Sequence, residues 1–151
     1  KGPFPTELDD ETGETIRNKG GEFGTTTGRP RRTGLFDAVI VRHSVRVNGL
    51  SSLAINKLDT LGGIGDLKVC VAYKKPDGTV IENFPAALEE LADCVPVYET
   101  LKGFDDDISS CRSFDELPEA CKKYIERLEE LCDCHISMVG VGPDREQIIE
   151  R

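Results

Sequence analysis

Apolar residues recur along this chain in two rhythms, one of helical and one of strand spacing, with glycine-rich breaks between them. Residues 8–19 are polar, rich in Glu and Asp, and predict a helix ended by Gly20 and Gly21. Residues 22–34 mix hydroxyl side chains, glycines, a proline and arginines, which predicts a loop with open backbone N–H groups. Leu35, Ala38, Val39, Arg42, Val45 and Arg46 lie at helical spacing and predict a helix over 35–48, stopped by Gly49. A short apolar strand over 53–58 runs into Lys57-Leu58-Asp59, and a turn over 62–66 follows. Residues 67–74 alternate as a strand, Pro76-Asp77-Gly78 turns the chain, and 79–84 return as the partner. A short helix over 86–92, a strand over 95–101 and an acidic loop at 105–107 come next. Ser113 with Glu116 three residues on has the form of a helix start, and Leu117, Cys121, Tyr124, Ile125, Leu128 and Leu131 make a helical stripe. An apolar strand over 136–141 leads through a turn at 142–145 to an expected terminal helix. Interleaved helices and short strands, with no repeat and no linker, predict a single α/β domain over 1–151: a mixed sheet with flanking helices.

Composition narrows this picture. Hydrophobic residues make up 38% and aromatics 6%, with no Trp, so the core must be mostly aliphatic. The net charge of -9 would repel a nucleic-acid backbone, and no nucleic-acid partner is expected. Against that trend Arg29, Arg31, Arg32, Arg42 and Arg46 cluster in the sequence, which suggests an anionic ligand. No apolar run approaches a bilayer span, and the first residues carry prolines rather than an apolar signal core, so a cytoplasmic protein without a membrane partner is expected. The start, without Met and through Gly2-Pro3-Phe4-Pro5, has the character of the middle of a longer polypeptide. Six cysteines at this density are expected as reduced thiols. Cys132, Cys134 and His135 form one tight cluster, but a zinc site needs a second pair of ligands that the sequence lacks.

Three segments carry candidate chemistry. In Thr25-Thr26-Thr27-Gly28-Arg29-Pro30-Arg31, small residues admit a ligand to backbone amides and the arginines match carboxylate or phosphate; a solvated surface loop has the same composition. In Asn56-Lys57-Leu58-Asp59, the carboxylate can accept both the N1–H and the exocyclic amino group of guanine, a donor pair that adenine lacks. The same spacing also arises at an ordinary strand end with an incidental Lys–Asp pair. Gly140-Val141-Gly142-Pro143 closes a strand with two glycines, which suits either a base-binding edge or a plain turn. No Walker-type glycine loop and no Ser–His–Asp arrangement is visible, and His43 and His135 have the setting of structural histidines.

Together with Gly2-Pro3-Phe4-Pro5-Thr6-Glu7-Leu8, Glu22-Phe23-Gly24, Arg32-Thr33-Gly34, Pro96-Val97-Tyr98-Glu99 and Gly142-Pro143-Asp144-Arg145, these segments resemble the C-terminal third of the adenylosuccinate synthetase family over essentially the whole chain. The resemblance implies the C-terminal domain of that fold and a GTP-dependent C–N ligase joining IMP to L-aspartate in AMP biosynthesis. It implies that Thr25, Thr26, Thr27, Gly28, Arg29, Pro30 and Arg31 contact aspartate and IMP. Arg31, Lys57, Leu58, Asp59, Gly140, Val141 and Gly142 would contact GTP. It further implies a homodimer in the complete enzyme, and Mg²⁺, catalytic residues and a phosphate loop held by an N-terminal part absent from this sequence. The fragment is therefore expected to be inactive alone. A non-catalytic nucleotide-binding or assembly module is the alternative reading.

Overall fold

One carboxylate decides where the first described helix begins. The computed structural model describes residues 5–7, 14 and 35–151. Its elements are β1 (Phe36–Asp37), α1 (Ala38–Asn48), β2 (Ser52–Ile55), a 3₁₀ turn (Leu58–Leu61), β3 (Leu67–Lys74), β4 (Val80–Ile81), α2 (Leu88–Ala92), β5 (Val95–Leu101), a second 3₁₀ turn (Phe114–Glu116), α3 (Glu119–Cys132), β6 (His135–Gly140) and β7 (Ile148–Glu150). Asp37 Oδ1 accepts the backbone N–H groups of Val39 at 3.0 Å and Ile40 at 3.2 Å, capping α1. The helix expected from residue 35 therefore starts three residues late. Phe36 and Asp37 instead pair in parallel with Val69 and Cys70 of β3. The helix predicted over 8–19 falls outside the described residues except at Glu14, and so does the loop over 22–34.

The described residues fall into two compact units, one within Lys1–His43 and Lys68–Thr100, the other within Ser44–Leu67 and Leu101–Arg151. The first is built on β3, which pairs with β1 in parallel, with β4 antiparallel, and also with β5. The β3–β4 hairpin closes where it was expected: Lys75 N–H donates to Thr79 O at 2.8 Å, Gly78 takes φ 91°, and Asp77 Oδ1 accepts Thr79 N–H. β4 is shorter than the expected 79–84, because Phe84 packs on the core and stacks with His43 at 5.0 Å between ring centroids. That core joins Val39, Cys70, Tyr73, Leu91 and Cys94. Inside it the Tyr73 hydroxyl donates to Asp37 Oδ2. Burial raises the Asp37 carboxyl above its ordinary value despite that bond and the two cap bonds. Burial also pushes the Cys70 thiol up to about 12.

The second unit holds the sheet β2-β6-β7, with β2 and β6 parallel and β6 and β7 antiparallel. Helix α3 buries Cys121, Tyr124, Ile125 and Leu128 of the predicted stripe; Leu117 precedes the helix, Leu131 is half-buried, and Cys132 is buried in its place. Ser113 Oγ donates to Glu116 Oε1 at 3.2 Å, but this start signature precedes only a 3₁₀ turn and makes no side-chain cap bond; Pro118 then stands at the N-cap of α3. The C-terminal expectation is overturned: residues 148–150 are a strand, not a helix. Alternating Ile148 (exposed) and Ile149 (buried) fit the edge of β6, and pairing with that strand sets the state of this segment. Both sheets mix parallel and antiparallel pairs, so the mixed α/β class holds, with two small sheets in place of one.

Glu129 of α3 ties the second unit together. Its carboxylate accepts the Ile136 N–H at 3.0 Å, the Arg151 guanidinium, and the His135 ring through Nδ1 at 2.8 Å. Burial works to raise its pKa, but these three donors outweigh it and hold the group below the usual glutamate value. His135 is thus a structural partner. All six cysteines are free thiols, five of them buried, in accord with the reduced state expected of them. No described helix is long and apolar enough to cross a membrane.

Candidate functional site

Parallel strands β2 and β6 carry both the Asn56–Asp59 segment and the Gly140–Gly142 segment to the same edge of one sheet. Leu53 pairs with Ile136, and Ile55 with Val139, so the two strands end side by side. The carboxyl ends of adjacent parallel strands are where α/β folds open a ligand crevice. Gly140 makes the approach close. A Cβ there would lie 3.4 Å from Asn56 Cα and Lys57 N, tight against the other strand's backbone.

Beyond β2 the chain bends sharply. Lys57 takes a left-handed conformation, φ 59° and ψ 37°, unusual for a residue with a side chain. Leu58, with no exposed surface, anchors the bend in the core, and the chain enters the 3₁₀ turn. Thr60 donates twice to Lys57 O, from its backbone N–H at 3.1 Å and from its hydroxyl at 2.7 Å. Glycines close the turn behind it: Gly63 N–H donates to Phe104 O at 2.9 Å. A Cβ on Gly103 would fall 1.9 Å from Gly65 O, so these two backbones are in contact.

Asp59 is the chemically distinctive residue of this edge. Its Oδ1 is shielded from solvent and accepts no hydrogen bond among the described residues. A buried acceptor of this kind costs about 1–3 kcal/mol if left unsatisfied. It is therefore an acceptor with capacity for a further donor.

The third candidate segment is held by its own backbone and by Gln147. Val141 is fully buried, so only its backbone can face the edge, and its N–H donates to Gln147 O at 2.8 Å. Gly142 gives close approach to the chain itself: a Cβ there would meet the Gln147 side chain at 2.3 Å. Gln147 closes the turn, accepting Asp144 N–H at 3.0 Å and donating to Ser109 O at 3.1 Å. The roles of Gln147 and Thr60 carry no motif and were missed by sequence reasoning; only a polar residue beside a glycine turn hinted at either.

The Thr25–Arg31 segment lies outside the described residues, as do Arg32 and its neighbours. Of the arginine cluster, Arg42 Nε is buried with no hydrogen-bond partner among the described residues. Among the described residues, no group of three or more His, Cys, Asp or Glu side chains converges as a metal site.

Comparison with known proteins agrees on one family. A family model described as adenylosuccinate synthetase matches residues 1–149. A protein of that name from Clostridium botulinum (strain Eklund 17B / Type B) is 59% identical over 149 residues, covering 99% of this chain and 35% of its own length. One from Heliobacterium modesticaldum is 56% identical over 150 residues, with the same coverage. The solved structure of fully ligated adenylosuccinate synthetase from Plasmodium falciparum superposes with a TM-score of 0.95 at 40% identity, covering 100% of this chain and 36% of that one. The chain thus spans about a third of the length of the relatives it matches.

Proposed function

Because the chain belongs to the adenylosuccinate synthetase family, we propose that it forms the guanine- and aspartate-binding part of a GTP-dependent ligase of purine biosynthesis. The complete enzyme joins IMP and L-aspartate to adenylosuccinate, releasing GDP and phosphate. In this reading Asp59 takes the guanine N1–H and exocyclic amino group, the Lys57 stem lies along the base, and Gly140, Val141 and Gly142 border it with backbone. Leu58 holds Asp59 in place from below. Thr25, Thr26, Thr27, Gly28, Arg29, Pro30 and Arg31 bind the aspartate carboxylates and IMP, with Arg31 also near the GTP phosphates. Arginine forks at those oxygens supply positioning and charge stabilisation for phosphoryl transfer and for displacement of the phosphate by the aspartate amine. Mg²⁺ belongs to the phosphate end of GTP, and no step through it is assigned to the residues of this chain. The enzyme works as a cytoplasmic homodimer.

The observation that carries this reading is the shielded Asp59 Oδ1, without a hydrogen-bond partner among the described residues, at the shared end of β2 and β6. Substituting Asp59→Asn in the complete enzyme replaces one acceptor with a donor opposite guanine. Discrimination of GTP over ATP and ITP should fall by about tenfold or more, since a bidentate pair carries roughly 1–3 kcal/mol. An unchanged preference would rule the assignment out.

A further inference from the structure

We infer that Thr60 is a specificity-determining positioning residue, whose hydroxyl holds the Lys57 bend so that Asp59 presents its carboxylate at the strand edge. This rests on the reading of Asp59 as the guanine acceptor. Thr60 is one of only two buried polar residues among those described, at 7% exposure. Its hydroxyl is committed to one atom, Lys57 O, at 2.7 Å, the same carbonyl that its own N–H reaches at 3.1 Å. That carbonyl belongs to the residue in the left-handed conformation. A residue with a side chain keeps such a backbone only where its surroundings enforce it. Two donors on Lys57 O fix the plane of the Lys57–Leu58 peptide, and that plane sets the direction in which Asp59 leaves the turn.

Neither end of the turn is closed by a side chain acting as a cap, and Gly62 N–H donates back to Asp59 O, at 3.2 Å, in the interaction that ends the turn. Gly140 presses on Asn56 and Lys57 from the neighbouring strand but meets their backbone at Cα and N, not the Lys57 carbonyl. Two-point recognition is sensitive to small rotations, because both carboxylate oxygens must align with both guanine donors at once. A single-point contact tolerates the same rotation.

The test compares Thr60→Val, nearly isosteric but without the hydroxyl, with Thr60→Ser, which keeps it, in the complete enzyme. GTP and ITP are the probes, since ITP lacks the exocyclic amino group and makes only one of the two bonds. Thr60→Val should raise KM for GTP about fivefold, the worth of one hydrogen bond, with kcat unchanged. KM for ITP should rise less, so the GTP:ITP preference narrows. Thr60→Ser should stay within about twofold of the parent on both nucleotides. Equal shifts for GTP and ITP, a fall in kcat alone, or a Thr60→Ser that behaves like Thr60→Val would overturn the inference. Should Thr60→Val fail to fold, the Thr60→Ser profile and Thr60→Ala decide by the same GTP:ITP ratio. Asp59→Asn run alongside separates the two claims. If it abolishes the preference while Thr60→Val does not narrow it, only the role of Thr60 falls; if it leaves the preference intact, the guanine reading falls.

Discussion

Asp59 and Glu129 are carboxylates of the same unit, and their surroundings are opposite. Glu129 is saturated by a backbone N–H, a guanidinium and an imidazole, while Asp59 Oδ1 has no donor among the described residues. The first arrangement contributes to stability; the second does not, and in the proposed role a ligand would supply its donors. Glu129→Gln should therefore destabilise the fold at neutral pH by about 2 kcal/mol, read as a lower denaturant midpoint with an unchanged m value. Asp59→Asn should leave the midpoint unchanged or raise it in the absence of nucleotide. The pH dependence follows from the depressed pKa of Glu129. Its contribution is complete above the ordinary glutamate value and is lost as pH falls through the lower folded value. The Glu129→Gln variant should then lose less stability than the parent on acidification. An acid limb of equal slope in both proteins would show that Glu129 carries no such load.

At the scale of elements, α1 depends on a side chain from a different strand. Asp37 caps the helix with one oxygen and takes the Tyr73 hydroxyl on the other. Tyr73→Phe strands a buried carboxylate oxygen and should cost about 1–3 kcal/mol. Asp37→Ala removes the cap as well and should cost at least the 0.5–2 kcal/mol or so of a lost N-cap. Because Tyr73 and Asp37 act as one unit, the double variant should cost less than the sum of the two, measurable as a coupling in denaturant unfolding; strict additivity would refute the link. The same pair shows what the sequence makes legible. Alternation over Leu67–Lys74, the Pro-Asp-Gly turn and the α3 stripe were all predictable, because each is a local pattern of burial. The start of α1 was not, since periodicity counts Leu35 as helical while the cap belongs to Asp37. The terminal strand was missed for a related reason. A short Ile-Ile segment has no local preference strong enough to name its state, and pairing with β6 supplies it. In the site, the Asn-Lys-x-Asp spacing was visible as letters. The meeting of β2 with β6, more than eighty residues apart in the chain, is a tertiary fact, and so is the Gln147 bond to Ser109 O; the Thr60 bond to Lys57 O is local but follows no letter pattern.

For the whole molecule, the proposed chemistry asks for more than these residues hold. The proposed guanine edge has an acceptor, a bordering backbone and a supporting turn. Phosphoryl transfer needs in addition a metal site and a loop that cradles phosphates. Neither a convergent metal-ligand cluster among the described residues nor a Walker-type glycine loop in the sequence provides them. The relatives that carry the family name are nearly three times as long as the matched part. The 151-residue chain alone should therefore make no adenylosuccinate from GTP, IMP and aspartate. It should retain weak guanine-nucleotide binding, because a strand edge covers one side of a base and leaves the other to water. Stabilisation by a bound ligand grows with the logarithm of concentration over Kd, reaching about 2.7 kcal/mol at a hundred times Kd. Millimolar GDP should accordingly raise the melting temperature of the chain slightly, and ADP at the same concentration should not. Turnover by the purified chain would show that the machinery is present after all. Equal shifts with GDP and ADP would show that the edge does not read the base.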